Sequence, residues 1–384
     1  MLLDTVAHRG TGHTPSQKHA DYWDGGVKWV SLTDSPALDR GYIFDSAKKI
    51  SHAGLRHSSA VLHPKGTVIL SRDAGVGKSA ILGDSMAVSQ HFIAWQCDRE
   101  RLNEGYLYQW LQQQKGHFER IANGSTVKTI GFGFFTKLEI PLPPLATQQQ
   151  IAMALARWDE AIAITERLVR TESTRHKGLV AGLYAASDRL GSANAFGDVL
   201  IESRNPAVAS GLERKLTVRL YGKGVVAKTE RYSGSANTQY HRRSSGQLIY
   251  SKLDFLNGAF GIVPTHLDGS NSTTDMPAFD ISESVNPVWL LNYLTRPAYY
   301  TRQVGLARGQ RKARRVNVGD FLKSTIVIPE VKVQSDIANA LLASSDRISN
   351  YRLLVVAIKK QKRALMRKLM NGDWRFSTSE AGII

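Results

Sequence analysis

The strongest constraint on how this chain can fold is that part of it occurs twice. The stretch FFTKLEIPLPPLATQQQIAMALARWDEAI (Phe134–Ile162) is matched without a gap by DFLKSTIVIPEVKVQSDIANALLASSDRI (Asp320–Ile348). Phe135 falls on Phe321, 186 positions on, and at the same displacement Lys137 falls on Lys323, Pro143 on Pro329 and Gln148 on Gln334. Ile151, Ala152, Ala154, Leu155 and Ile162 fall on Ile337, Ala338, Ala340, Leu341 and Ile348. A long-period repeat predicts two similar half-molecules in one polypeptide, related by a pseudo-two-fold axis. At 384 residues the chain also exceeds one ordinary hydrophobic core.

Each copy leads into a helical pattern. Apolar residues recur every seven positions in the columns Ile151, Trp158, Thr165, Glu172, Leu179 and Leu155, Ile162, Val169, His176, Leu183. The second copy carries Ile337, Ser344, Tyr351, Ile358, Leu365 and Leu341, Ile348, Val355, Lys362, Leu369 in the same frame. Polar residues interrupt both seams, but the shared stripe predicts two long antiparallel helices packed as a coiled coil. The first is expected from Thr147, as a hydroxyl N-cap, to Ser187; at ~1.5 Å per residue that is roughly 60 Å. The second is expected from Gln334 to Asn371, with Asn371-Gly372 as its stop.

The segments between are mixed in character, with short β-branched or aromatic runs and many Gly and Asn turns. HPKGTVILSRDAGVGKSAIL (His63–Leu82) resembles SSGQLIYSKLDFLNGAFGIV (Ser244–Val263), aligning Gly66 with Gly246, Ile69 with Ile249, Ser71 with Ser251 and Arg72 with Lys252. Each reads as strand, turn, strand. NEGYLYQWL (Asn103–Leu111) matches NPVWLLNYL (Asn286–Leu294), each a helix start. The expected fold class is α+β: two globular α/β domains separated by the two long antiparallel helices. The expected partition is residues 1–146, helix 147–189, residues 190–333, helix 334–376 and a tail 377–384.

The net charge of +17 suits a polyanionic partner, above all nucleic acid. A single cysteine, Cys97, excludes a disulfide framework and a multi-cysteine zinc site. No apolar run approaches the ~20 residues of a membrane span, and the polar N-terminus is not a signal peptide, so the expected address is the cytoplasm.

AGVGKSA (Ala74–Ala80) suggests a phosphate-binding loop, but the first glycine of that motif would stand where Arg72 does. The turn reading suits both copies. NPAV (Asn205–Val208) lacks the second proline and the aromatic residue of an adenine amino-methyltransferase pocket. No paired-carboxylate nuclease motif or metal-binding histidine pair is present in the sequence.

The basic loops are the candidate DNA contacts, because Arg and Lys reach phosphates and guanine edges and Gly lets backbone approach closely. In the second half, ARGQRKARRVNV (Ala307–Val318) supplies Arg308, Gln310, Arg311 and Lys312; its first-half counterpart NGSTVKTIGF (Asn123–Phe132) supplies Ser125, Lys128 and Thr129. Further candidates are Lys28, Arg72, Lys78, Arg219, Tyr221, Lys223, Arg242, Arg243 and Lys252. Trp23 and Trp29 read as packing residues.

The proline-rich strand end joined to a glutamine-rich helix start, and the ending KKQKRALMRKLMNGDWRF (Lys359–Phe376), resemble the specificity subunits of type I restriction-modification enzymes. So does the opening AHRGTGHTPSQKHADYWDGGVKWVSLTD, although family members often carry a longer lead-in. The resemblance spans nearly the whole chain, and it implies the following. Each recognition domain reads one half of a bipartite, asymmetric site in double-stranded DNA. The helices set the unread spacer and dock two modification subunits, which methylate adenine at N6 with S-adenosylmethionine. Two restriction subunits using ATP and Mg can join that core. The subunit itself is non-catalytic and holds no cofactor. From the residues alone, two alternatives stay open: an autonomous DNA-modifying enzyme, and a coiled-coil scaffold that binds only protein.

Overall fold

A computed structural model describes residues 1–124, 128–207, 214–228, 238–309 and 314–374. The chain divides into two compact units: Met1–Arg170 with Asn350–Ile384, and Thr171–Ser349.

In the first unit, five strands form a sheet in the order Ala7–Thr11, Phe92–Cys97, Val68–Ser71, Ser79–Leu82, Tyr42–Ile43. Successive strand side chains point to opposite faces, so each strand feeds two layers. Val68, Leu70, Ile81, Ile93 and Trp95 pack with Leu107, Trp110, Leu111 and Phe118 of the helix Glu104–Ile121. Ile69, Ala80, Leu82, Phe92 and Ala94 pack on the other side with Val30, Met86 and Val88 of a second, four-stranded sheet. Burial on both faces explains why Val68–Ser71 and Ser79–Leu82 show no polar alternation.

The second unit repeats the core of this plan. Its main sheet has the order Leu200–Ser203, Ala278–Ile281, Leu248–Tyr250, Phe260–Ile262. Leu248, Tyr250, Phe260 and Phe279 pack with Trp289 and Leu290 of the helix Pro287–Leu294. Ile249 and Ala278 face Leu216, Val218 and Val225. The aligned glycines Gly66 and Gly246 have φ of +91° and +87°, so the strand-entry turn that each makes is open to few other residues. Gly66 donates its N–H to Leu82 O and Gly246 donates to Val263 O, both at the start of the aligned hairpins.

The long helices are Leu145–Leu190, 46 residues, and Val331–Met370, 40 residues. Both start earlier than expected. Gln148 N–H already bonds Pro144 O and Gln334 N–H bonds Glu330 O, each at 3.1 Å. Thr147 therefore lies inside the first turn and is not the cap. The first helix also runs past Ser187, and the second closes at Gly372 in the left-handed region with φ +77°. In each unit the core takes the start of one helix and the end of the other. Ile151, Ala152 and Leu155 join Met366, Leu369 and Met370 in the first. Ile337, Ala338 and Leu341 join Tyr184, with Val180 and Leu183 packed alongside, in the second. Within each unit the two helix segments are antiparallel, paired through Asp159–Lys362 and Glu166–Lys359 in one and Glu172–Arg347 and His176–Ser344 in the other.

One side chain joins globular part to helix in both units. Gln148 is fully buried. Its Oε1 accepts from Asn103 N–H at 2.9 Å, and its Nε2 donates to Arg101 O and Pro143 O, both at 2.9 Å. Gln334, equally buried, accepts from Asn286 N–H at 2.8 Å and donates to Ser284 O at 3.1 Å and Pro329 O at 2.9 Å. Asn103 and Asn286 in turn cap the helices Glu104–Ile121 and Pro287–Leu294 through their side-chain oxygens. Only a primary amide supplies one acceptor and two donors in this plane. Gln148→Leu leaves a buried N–H and two carbonyls unpaired, and each unpaired group costs about 1–3 kcal/mol. The variant is expected to melt at least several degrees below the parent in a calorimetric scan, as is Gln334→Leu; an unchanged melting temperature for either would contradict the role assigned.

Candidate nucleic-acid interface

In the first unit the hairpin between Val68–Ser71 and Ser79–Leu82 is tied by Ser71 N–H to Lys78 O at 2.7 Å and Gly77 N–H to Ser71 O at 3.0 Å. Ala74, Gly75 and Gly77 have positive φ. A Cβ on Gly77 would come within 3.0 Å of Lys115 Cγ, so glycine lets the hairpin seat on the helix Glu104–Ile121. The segment joins two antiparallel strands rather than a strand and a helix, the geometry a phosphate-binding loop requires. Gly75, Val76, Lys78, Lys115, Glu119 and Lys128 line one open cleft of about 420 Å³. Lys128 is exposed. The Lys78 ammonium donates to Ser35 Oγ at 2.7 Å, and that of Lys115 to Asp39 at 2.5 Å. Lys115 and Glu119 escaped sequence reasoning; the available signal was their spacing of four on one helical face. Thr129 exchanges backbone hydrogen bonds with Asn123, which closes the loop that carries Lys128; Ser125 lies outside the described residues.

Two other first-unit candidates are occupied within the domain. Arg72 donates Nε to Ile130 O at 3.0 Å and lies 4.2 Å from the centroid of the Phe132 ring. Lys28 donates to Asp84 and to Phe44 O, both at 2.8 Å, and that hydrogen bond is the leading cause that holds the Asp84 carboxyl below its ordinary pKa. Trp23 and Trp29 pack edge to face with ring centroids 5.2 Å apart, and Trp29 Nε1 donates to His13 O.

In the second unit Arg219, Lys223, Arg242 and Arg308 are exposed. Tyr221 is 61% exposed with φ +59°, held there by its N–H bond to Asn257 O and by Gly222 N–H to Gly258 O, both 2.8 Å. Lys223 Nζ sits 5.9 Å from the Tyr221 ring centroid. Arg308 lies 3.6 Å from Asp320 with most of its side chain in solvent. Lys252 is half-buried; its carbonyl accepts from Val316 N–H at 3.0 Å, as Arg72 O accepts from Ile130 N–H at 2.9 Å. Gln310, Arg311 and Lys312 lie outside the described residues.

Arg243 is a correction. It is 1% exposed, and its guanidinium donates to Ser272 Oγ and Ser203 O, both at 2.7 Å, and to Met276 O at 3.2 Å. Burial pulls its pKa down to about 10, opposed by the Glu202 carboxylate. It remains a cation at neutral pH, and it staples the domain from inside rather than meeting DNA. Its neighbour Arg242 is the surface residue of the pair. Among the described residues no three His, Cys, Asp or Glu side chains converge on a point, and no helix is long and apolar enough to cross a membrane.

A family model described as "Type I restriction modification DNA specificity domain" matches residues 2–170. The MjaIX type I restriction enzyme specificity subunit of Methanocaldococcus jannaschii is 28% identical over 153 residues, 39% of this chain and 35% of that protein. The MjaVIII specificity subunit of the same organism is 22% identical over 117 residues, 30% of this chain and 28% of that protein. The chain thus spans about a third of the length of the curated relatives it matches. Solved structures align over nearly the whole chain. The S subunit of the type I restriction-modification system of M. genitalium gives a TM-score of 0.56 at 13% identity, covering 96% of this chain and 95% of that one. The HsdS subunit of Thermoanaerobacter tengcongensis gives 0.51 at 16%, covering 97% and 96%. A chain from a structure of complex assembly in the type I R-M system gives 0.58 at 15%, covering 97% of each. At these identities the likeness is one of fold.

Exposed and buried cations separate in experiment. Lys128→Ala is expected to weaken DNA binding severalfold and lower the salt slope by about one, with no change in melting temperature. Arg243→Met is expected to lower the melting temperature, because three acceptors lose a buried donor at about 1–3 kcal/mol each. An unchanged salt slope for the first, or an unchanged melting temperature for the second, measured by anisotropy titration and calorimetry, would contradict the assignment.

Proposed function

We propose that this chain, whose residues 2–170 match the type I restriction modification DNA specificity domain, is the non-catalytic DNA-specificity subunit of a type I restriction-modification system. Each globular part reads one half of a bipartite, asymmetric site in double-stranded DNA. The long helices set the unread spacer and dock two modification subunits. Those subunits carry S-adenosylmethionine and methylate adenine at N6; restriction subunits that join the assembly carry the ATP and Mg chemistry. The observation that carries the reading is the same four-strand order on the same glutamine-sealed helix start in both units, beside surface loops with different cations.

Physical chemistry supports this division. Exposed lysines and arginines on phosphates provide affinity without sequence information, whereas base edges provide specificity. Two domains that share a scaffold but differ in loop residues would read different half-sites. The Arg219–Lys223 loop and the Lys78–Lys128 cleft have no residue pattern in common.

The test is selection of bound DNA from a randomised pool by the chain assembled with a type I modification subunit. The expected product is a two-part motif with a constant gap, adenine methylation within it by the assembly, and no methyl transfer or cleavage by the chain alone. Methylation or cutting by the purified chain would favour an autonomous enzyme, and absence of DNA affinity in the assembly would favour a protein-only scaffold. Either result overturns the proposal.

A further inference from the structure

The helix Glu104–Ile121 packs between the five-stranded sheet and a long helix of the first unit. Asn103 at its cap bonds Gln148, Tyr106 Oη donates to Pro141 O at 2.9 Å, and Tyr108 Oη accepts from Gly41 N–H at 3.0 Å. One turn further, Gln109 Nε2 donates to Asp159 Oδ2 at 2.8 Å. The other oxygen of that carboxylate accepts from Lys362 Nζ at 2.5 Å. One carboxylate therefore joins the globular part to both long helices. Gln109 is 2% and Lys362 8% exposed, while the Asp159 side chain, 21% exposed, borders with Gln109 an open cleft of about 530 Å³. Gln109 Oε1 has no partner among the described residues, so the amide is held there by its single bond to Asp159.

The same helix continues to the candidate DNA surface. Gln112 Nε2 bonds Asp39 Oδ1 at 2.6 Å and Ser79 Oγ at 2.8 Å, and Lys115 reaches Asp39 before it lines the cleft with Lys78 and Lys128. Any shift of this helix on Asp159 moves that cleft with it. The second unit lacks the device. The repeat places His176 where Lys362 stands and Ser345 where Asp159 stands. His176 Nδ1 bonds Ser344 Oγ at 3.0 Å, which joins helix to helix only. The second unit's helix ends at Leu294, and His176 and Asn292 line an open cleft of about 940 Å³ instead.

We infer that Gln109, Asp159 and Lys362 form a clamp that fixes the seat of the first recognition domain on the helices and so restricts the gap between half-sites to one length. The inference rests on the proposed function and assigns these three as positioning residues, none of which touches DNA. A wedge with two charges and an amide has a directional minimum, whereas apolar packing of the same volume does not.

The test is DNA selection with half-sites separated by gaps of varied length, using the chain assembled with a modification subunit. Parent chain is expected to select one gap. The double variant Asp159→Leu/Lys362→Met replaces the pair by apolar side chains of similar size, which folded proteins commonly tolerate. It is expected to keep both half-site sequences and its melting temperature while selecting two or more adjacent gap lengths. Gln109→Met, which leaves the Asp159–Lys362 pair intact, is expected to do the same and serves if the double variant does not fold. His176→Leu is expected to keep a single gap. A single unchanged gap in Gln109→Met and the double variant would overturn the clamp, and so would equal broadening in His176→Leu. Failure of the parent chain to select a two-part site at all would instead overturn the proposed function.

Discussion

A buried primary amide, used twice, is the bond on which the architecture depends. Gln148 and Gln334 each sit at zero exposure and join a helix cap of the globular part to the proline-led start of a long helix. Strand ends and helix starts leave backbone groups without partners, and in a core each such group is costly. The glutamine satisfies three of them at once and fixes the angle between two elements. Its place in the repeat explains why the Pro–Gln segment recurs while the loops around it do not.

With that joint in place, each unit needs four strands, one capped helix and two helix segments to close its core. The start of one long helix and the end of the other provide the last wall: Leu155 with Leu369 in the first unit, Leu341 with Tyr184 in the second. The polar breaks in the heptad seam then gain a reason. Lys362 interrupts the seam to bond Asp159 beside the globular part, where apolar packing would leave the seat without a directional minimum, whereas His176 and Ser344 bond each other from helix to helix only.

Much of this was legible in the sequence, because the repeat and the seven-residue period are properties of the chain itself. The repeat identified Gln148 and Gln334 as equivalent but not what they bond, since Arg101, Ser284 and the asparagine caps lie some 50 residues away. The helix starts were displaced because Thr147 looked like a cap, while the backbone of Pro144 had already accepted the first helical bond. Site residues were less legible. Sequence marks a cation but not its surroundings, so Arg242 and Arg243 looked alike until one proved exposed and the other stapled among Ser203, Ser272 and Met276. Lys28 and Arg72 are likewise engaged by groups distant in sequence, and Lys115 became visible only when the helix face was placed beside Lys78.

Independent reading by two domains on one repeated frame has a direct test. The cleft and loop cations of one unit are neutralised, Lys78 and Lys128 in one variant and Arg219 and Lys223 in another. The DNA selected by each assembly is then sequenced. Loss of two phosphate anchors loosens the hold of one domain on DNA, so each variant is expected to select one half-site more weakly, a different one in each case, with the other half-site intact. Loss of both half-sites together in either variant would contradict two independent readers.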